Sequence, residues 1–221
     1  MASDLQQAFE DFVRDDAFPC VGAKSVLARS AITFFEASSI DAPTDDFPLY
    51  QALKAFGGAL EETPGVLKSL VAVFAAPTDL SELAFDRALW GRLQALHNMD
   101  AASGRAWTDA ASSDPNSPHF SMSVAGHAFF VVGLHPNASR TARRFSHAAL
   151  VFNSRAQFQA LREQGRFGKM QSVIRKRDTA LDGDINPMLD DYGNAPETRQ
   201  YSGRVLPEQW TCPLVVRTPA E

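Results

Sequence analysis

Cysteine is scarce in this chain of 221 residues: Cys20 and Cys212 are the only two. They are expected to be free thiols rather than a structural disulfide, and without a paired CxxC a cysteine-built zinc site has no ligand set. Long apolar runs are missing as well. None approaches the roughly 20 residues of a membrane span, so no membrane partner is expected. The opening residues Met1-Ala2-Ser3-Asp4-Leu5-Gln6-Gln7 hold neither the basic stretch nor the apolar core of a signal peptide, and a cytoplasmic location is expected. Signature loops are absent too. There is no Walker loop, no GxGxxG, no HExxH and no GxSxG, which leaves nucleotide-cradling, zincin and hydrolase chemistry without their usual parts. No internal repeat or low-complexity linker divides the chain, so a single domain over residues 1–221 is expected.

What is present is unevenly spread. The net charge of −5 divides into +9 between Asn137 and Arg177 and −14 over the rest. An acidic protein repels nucleic acid, so the basic quarter is better suited to a small local anion. Helix signals are clear at several places. Ser3 with Gln6 forms a capping box before Leu5, Ala8, Phe9, Phe12 and Val13 at helical spacing. Pro48 is expected at the first helical position of a segment through Leu49, Leu53, Phe56 and Leu60. Pro64-Gly65 is expected to turn the chain into the next strand. Thr78 or Asp79 with Glu82 opens a long helix to about Met99, and Ser154 with Gln157 opens another that Gly165 breaks. Strands are expected near Ile32, Val71, Met122, Val131 and Val151. Mixed helices and strands without regular alternation give an α+β fold, a single domain with a mainly antiparallel sheet packed by several helices.

The densest chemistry lies between His119 and Asn153. Phe129-Phe130-Val131-Val132 is the unbroken apolar run of a strand covered on both faces. Leu134-His135-Pro136-Asn137 follows as a turn, and Ser139, Arg140, Arg143 and Arg144 load a short connection with cation and hydroxyl. Of the histidines at 97, 119, 127, 135 and 147, no two sit four apart on a clear helix, which argues against a closed zinc site. His97 shares a helix side with Trp90, seven residues earlier, and is expected to face inward, as hydrogen-bonded core histidines do. Cys20, among Phe18, Pro19 and Val21, reads either as a small core residue or as a thiolate. One histidine, a set of aromatics and several arginines together fit haem: an axial nitrogen, an apolar slot and cations for the propionates.

Several linked segments carry a resemblance. Phe18-Pro19-Cys20, Leu96-His97-Asn98-Met99-Asp100, Gly133-Leu134-His135-Pro136, Ser139-Arg140 and Ala142-Arg143-Arg144-Phe145 resemble the YqcI/YcgG family. So do Phe152-Asn153, Arg177-Asp178, Asn186-Pro187-Met188-Leu189 and Gln200-Tyr201-Ser202-Gly203-Arg204. The resemblance implies a haem-dependent monooxygenase that N-hydroxylates a guanidine, arginine or a smaller one, using haem b and an external electron donor. It implies His135 or His97 as the iron ligand, with Cys20 as a third candidate. Ser139, Arg140, Arg143 and Arg144 become candidates for the propionates, against the alternative that some of them hold the turn through backbone carbonyls. A cationic guanidine substrate wants a carboxylate, which the Asp178–Asp191 segment or Glu36 would supply. Two other classes compete: a non-catalytic haem- or anion-binding protein, and an interaction protein whose basic quarter docks an acidic partner.

Overall fold

The computed structural model describes residues 2–63 and 66–218, and the turn expected at Pro64-Gly65 lies outside the described residues. The first helix starts where its capping box places it. In α1 (Asp4–Arg14) the Ser3 hydroxyl accepts the Gln6 N–H at 3.1 Å. After α2 (Val21–Ala28) the chain enters β1 (Ile32–Ser39), crosses through α3 (Asp46–Glu61), and returns in β2 (Ser69–Ala76), which pairs with β1 in parallel. A short 3-10 turn, Pro43–Asp45, runs directly into α3, so Pro48 stands in its third position rather than its first. In α4 (Glu82–Ala102) Ser81 is the cap, its hydroxyl accepting the Ala84 N–H, and the helix starts later than Thr78 or Asp79 would set it.

The remaining strands are antiparallel: β3 (Met122–Val124), β4 (His127–Leu134) and β5 (Ala148–Ser154). The sheet order is β1-β2-β5-β4-β3, which places β5 and β4 inside. Two further helices, α5 (Arg155–Glu163) and α6 (Phe167–Asp182), complete an α+β domain with a five-stranded, mostly antiparallel sheet. The strands stand where the apolar runs place them.

Alternation along the strands divides the core. One face carries Leu70, Phe74, Phe129, Val131, Leu150 and Phe152, packed by Leu49, Leu53 and Phe56 of α3 and by Phe85, Leu89, Leu93 and Leu96 of α4. Each such side chain contributes about 1.5–3 kcal/mol when fully buried. The other face carries Val71, Val73, Leu134 and Ala149 beneath Phe9 and Val13 of α1 and beneath Phe145. Its cover is thinner: Ile32, Phe34, Val132 and Val151 are only partly buried there.

Candidate functional site

Strand β4 outruns its neighbour β3, so its outer edge presents unpaired backbone groups that need partners. The segment around Tyr201 supplies them. The Tyr201 hydroxyl accepts the Met122 N–H at 3.1 Å and donates to the Phe129 carbonyl at 3.3 Å, while the Gly133 N–H donates to the Tyr201 carbonyl at 2.7 Å. Arg143 completes the seal. Its guanidinium donates to the carbonyls of Gly133 at 2.9 Å, Tyr201 at 3.2 Å and Gln200 at 3.1 Å, and its own carbonyl accepts the His135 N–H at 3.0 Å. Burial pulls the Arg143 guanidinium down to about 10, opposed by Asp178 and Cys20. The Gln200-Tyr201-Ser202-Gly203 motif thus serves as a stand-in for a sixth strand.

The neighbouring cations are equally committed. Arg140 pairs with Asp178 at 2.9 Å, with Asp182 at 3.1 Å and with Asp184. Burial works against its charge, yet Asp184, Asp178 and Asp182 together hold its pKa above the ordinary value. This cluster ties the C-terminal end of α6 to the 3-10 turn Thr141–Arg143. Arg144 donates to the carbonyls of Ala138 at 2.7 Å and Ser139 at 2.8 Å, and the Ser139 N–H donates to Glu82 at 2.7 Å. The structure therefore gives these three guanidinium groups protein acceptors, the turn-holding alternative weighed from the sequence. It also engages Asp178, Asp182 and Asp184, acids considered there for a cationic substrate.

Both histidines of the family-like segments sit on the densely packed side. His97 faces inward, 3% exposed, and its Nε2 accepts the Arg217 N–H at 2.7 Å. Its companion Asp100 accepts the Tyr50 hydroxyl and the Ala125 N–H, each at 2.8 Å, and so fixes the β3–β4 turn. His135 is 1% exposed and stacked on Phe85 with ring centroids 4.4 Å apart. Burial holds both imidazoles below the usual range, so both are neutral at pH 7. The Nδ1 of His135 is buried without a hydrogen-bond partner among the described residues, and Phe85 covers one face of the ring. Both imidazoles are thus enclosed by the packed core.

Cys20 is placed differently. It caps the N-terminus of α2, half-buried, with Sγ accepting the Ala23 N–H at 3.4 Å. Burial pushes its thiol up, while the N–H groups of Ala23 and Gly22 and the Arg143 cation pull the other way. Arg177 holds the same corner by donating to the Phe18 carbonyl at 3.1 Å, and a side-chain carbon at Gly22 would meet Met170 Sδ of α6 at 3.3 Å. Phe18-Pro19-Cys20, Arg143 and Arg177-Asp178 are therefore neighbours in space, as the linked motifs suggest. They border the thin face, where Val132 and Val151 face each other across β4 and β5. Glu36 lies on this face too, in the row Glu36–Val73–Ala149–Leu134, exposed and bonded by the Ser3 hydroxyl. At this corner a sulfur atom at a helix N-terminus, the half-buried Arg143 guanidinium and an apolar wall come together. Among the described residues, no group of three histidine, cysteine or acidic side chains is arranged to hold a bare metal ion.

One buried acid has no forewarning in the sequence. Glu197 accepts from Ser121 at 2.8 Å and pairs with Arg155 at 3.1 Å, and burial raises its carboxyl to about 7 against the pull of both. Its partners are 76 and 42 residues away, so only the fold brings them together.

The sequence model of the YqcI/YcgG family matches residues 9–215, and the chain belongs to that family. No curated protein and no solved structure matches it significantly. Among the described residues, no helix is long and apolar enough to cross a membrane.

Proposed function

We propose that this YqcI/YcgG protein binds haem b over the thin face of its sheet, with Cys20 as the iron ligand, and N-hydroxylates a small guanidine or amine. The observation that carries this reading is the incomplete cover of the central strands: Val132 and Val151 lie mid-sheet, yet both remain partly exposed. An apolar surface in that place suits a flat apolar partner. When bound, the haem would supply dioxygen activation with two electrons from an external donor and two protons from solvent, so that one oxygen atom enters an N–H bond to give N–OH and the other leaves as water.

The chain's own residues supply the rest. Cys20 gives a sulfur donor: burial pushes its thiol up and so favours the protonated form, the Ala23 N–H and the Arg143 cation offset part of that, and coordination to iron would displace the proton. Val132, Val151 and Phe34 provide a wall that keeps water from the reacting nitrogen. Glu36, an exposed carboxylate on the same face, receives the planar cation of the substrate, and holding it in one orientation is worth several kcal/mol of barrier. The commitment of Arg140, Arg143 and Arg144 to internal acceptors speaks against the docking of an acidic protein partner.

The test is purification after expression with haem precursor, followed by oxygen-dependent assay on arginine and on smaller guanidines. A Soret band with formation of an N-hydroxyguanidine is the expected result, and Glu36→Gln should raise KM more than it changes haem content. Haem without turnover on any guanidine or amine favours the non-catalytic binding protein. A protein that takes up no haem contradicts the reading.

A further inference from the structure

A second site lies at the opposite end of β4. His127 and Ala128 begin that strand, and Leu134, which leads to the Arg143 turn, ends it about 23 Å away at 3.3 Å per residue. Here a cavity of about 540 Å³ opens between the end of α3, the β3–β4 turn and the start of α5. Its walls are mainly apolar, with Leu60, Ala110 and Ala128 among them, and Glu61, 3.9 Å from the His127 Nδ1, lines the side away from α5. One end is polar in a specific way. The first turn of α5 faces the cavity through Arg155, Ala156 and Gln157, and the free N–H groups of a helix start favour an anion.

The capping residue of α5 strengthens this. Ser154 stands at the N-cap, as Ser154 with Gln157 leads one to expect, yet its side chain makes no capping bond. Gln157 turns elsewhere, accepting the Lys68 N–H at 3.0 Å and donating to the Val66 carbonyl at 2.6 Å. Ser154 is 6% exposed, lines the cavity, and has no hydrogen-bond partner among the described residues. A serine hydroxyl on the cavity wall beside uncapped amides is free to donate to an anion bound there. A carboxylate accepts from both. On the far wall, His127 packs so tightly on α3 that a side-chain carbon at Gly57 would meet its ring at 2.1 Å, which keeps the imidazole from collapsing into the space.

We propose that this cavity binds a small aliphatic monocarboxylate, its carboxylate on the Ser154 hydroxyl and the first amides of α5 and its chain against Leu60, Ala110 and Ala128. The site is independent of the haem face.

The experiment is an amide NMR titration of the whole protein with sodium butyrate, repeated with 1-butanol, butylammonium and inorganic phosphate. Saturable shifts confined to the amides of 155–157 and the neighbouring cavity wall are expected with butyrate alone. Ser154→Ala should weaken butyrate about tenfold, the equivalent of one charge-assisted hydrogen bond, with an unchanged melting temperature. Ala110→Trp, which fills the cavity, should abolish the shifts. Absence of saturation with butyrate, equal binding of butanol or butylammonium, tighter binding of phosphate, or undiminished affinity in Ser154→Ala would each overturn the proposal.

Discussion

The two faces of the sheet are built to different standards. On one, α3 and α4 bury Phe85, Leu89, Leu93 and Phe129 completely, and His97 and His135 are neutral parts of that packing. On the other, α1 and α2 leave Phe34, Val132 and Val151 partly open, and the 16 residues of α6 include none that is buried. The first face holds the larger part of the packed core; the second is bordered by the Cys20 sulfur and carries the exposed Glu36 carboxylate. A histidine in a family-like motif can thus be an integral part of the packed core.

Truncation on the two faces should differ most. Phe85→Ala, which leaves a cavity beneath the His135 ring, is expected to cost about 3–5 kcal/mol in urea unfolding. Equal costs for Phe85→Ala and Val132→Ala would erase the contrast. The next effect is pH-dependent. Glu197 has its carboxyl raised from 4.5 to about 7, so the folded state binds its proton more tightly than the unfolded state. Its contribution is full below about pH 4.5 and lost as pH rises through 7, a change of about 3 kcal/mol. His97 and His135 act oppositely: their lowered values mean that stability falls as pH drops below the ordinary 6.5. The comparison of wild type with Glu197→Gln at pH 5 and pH 8 isolates the carboxyl, and parallel pH profiles would remove it.

Arg140→Ala should be milder, about 2 kcal/mol, because Asp178 and Asp182 are left partly buried and unpaired. Its signature is local: hydrogen exchange should quicken in α6 and not in α4. Smallest of all, Val132→Ala is expected to cost about 1 kcal/mol or less in the haem-free protein, yet to weaken haem retention. If it destabilises as Phe85→Ala does, the face is not thinly covered.

Much of this was legible in the sequence. The Ser3 cap, the five strand runs and the inward turn of His97 follow from local spacing, and the structure bears them out, although the Gln6 side chain goes to Glu10 rather than back to Ser3. Other features were not. The run Phe129-Phe130-Val131-Val132 predicts a strand covered on both sides, whereas Phe130 and Val132 are only half-buried, because cover depends on how far α1, α2 and α6 reach. The arginines of the basic quarter look free in sequence since their acceptors are carbonyls at Gly133, Gln200 and Tyr201 and acids beyond Arg177, which only the fold brings close. Ser154 with Gln157 predicts a capping box, and the helix does begin there, but Gln157 is drawn to the Lys68 and Val66 backbone instead.

The central claim is that the iron ligand belongs to the thin face. Cys20→Ala, His135→Ala and His97→Ala, each expressed with haem precursor and scored for bound haem and for the Soret band of the reduced carbon monoxide complex, test it directly. Loss of haem in Cys20→Ala alone, with the long-wavelength band of a thiolate ligand in wild type and in both histidine variants, is the predicted result. Full haem and an unchanged band in Cys20→Ala, with loss in His135→Ala or His97→Ala, would contradict it.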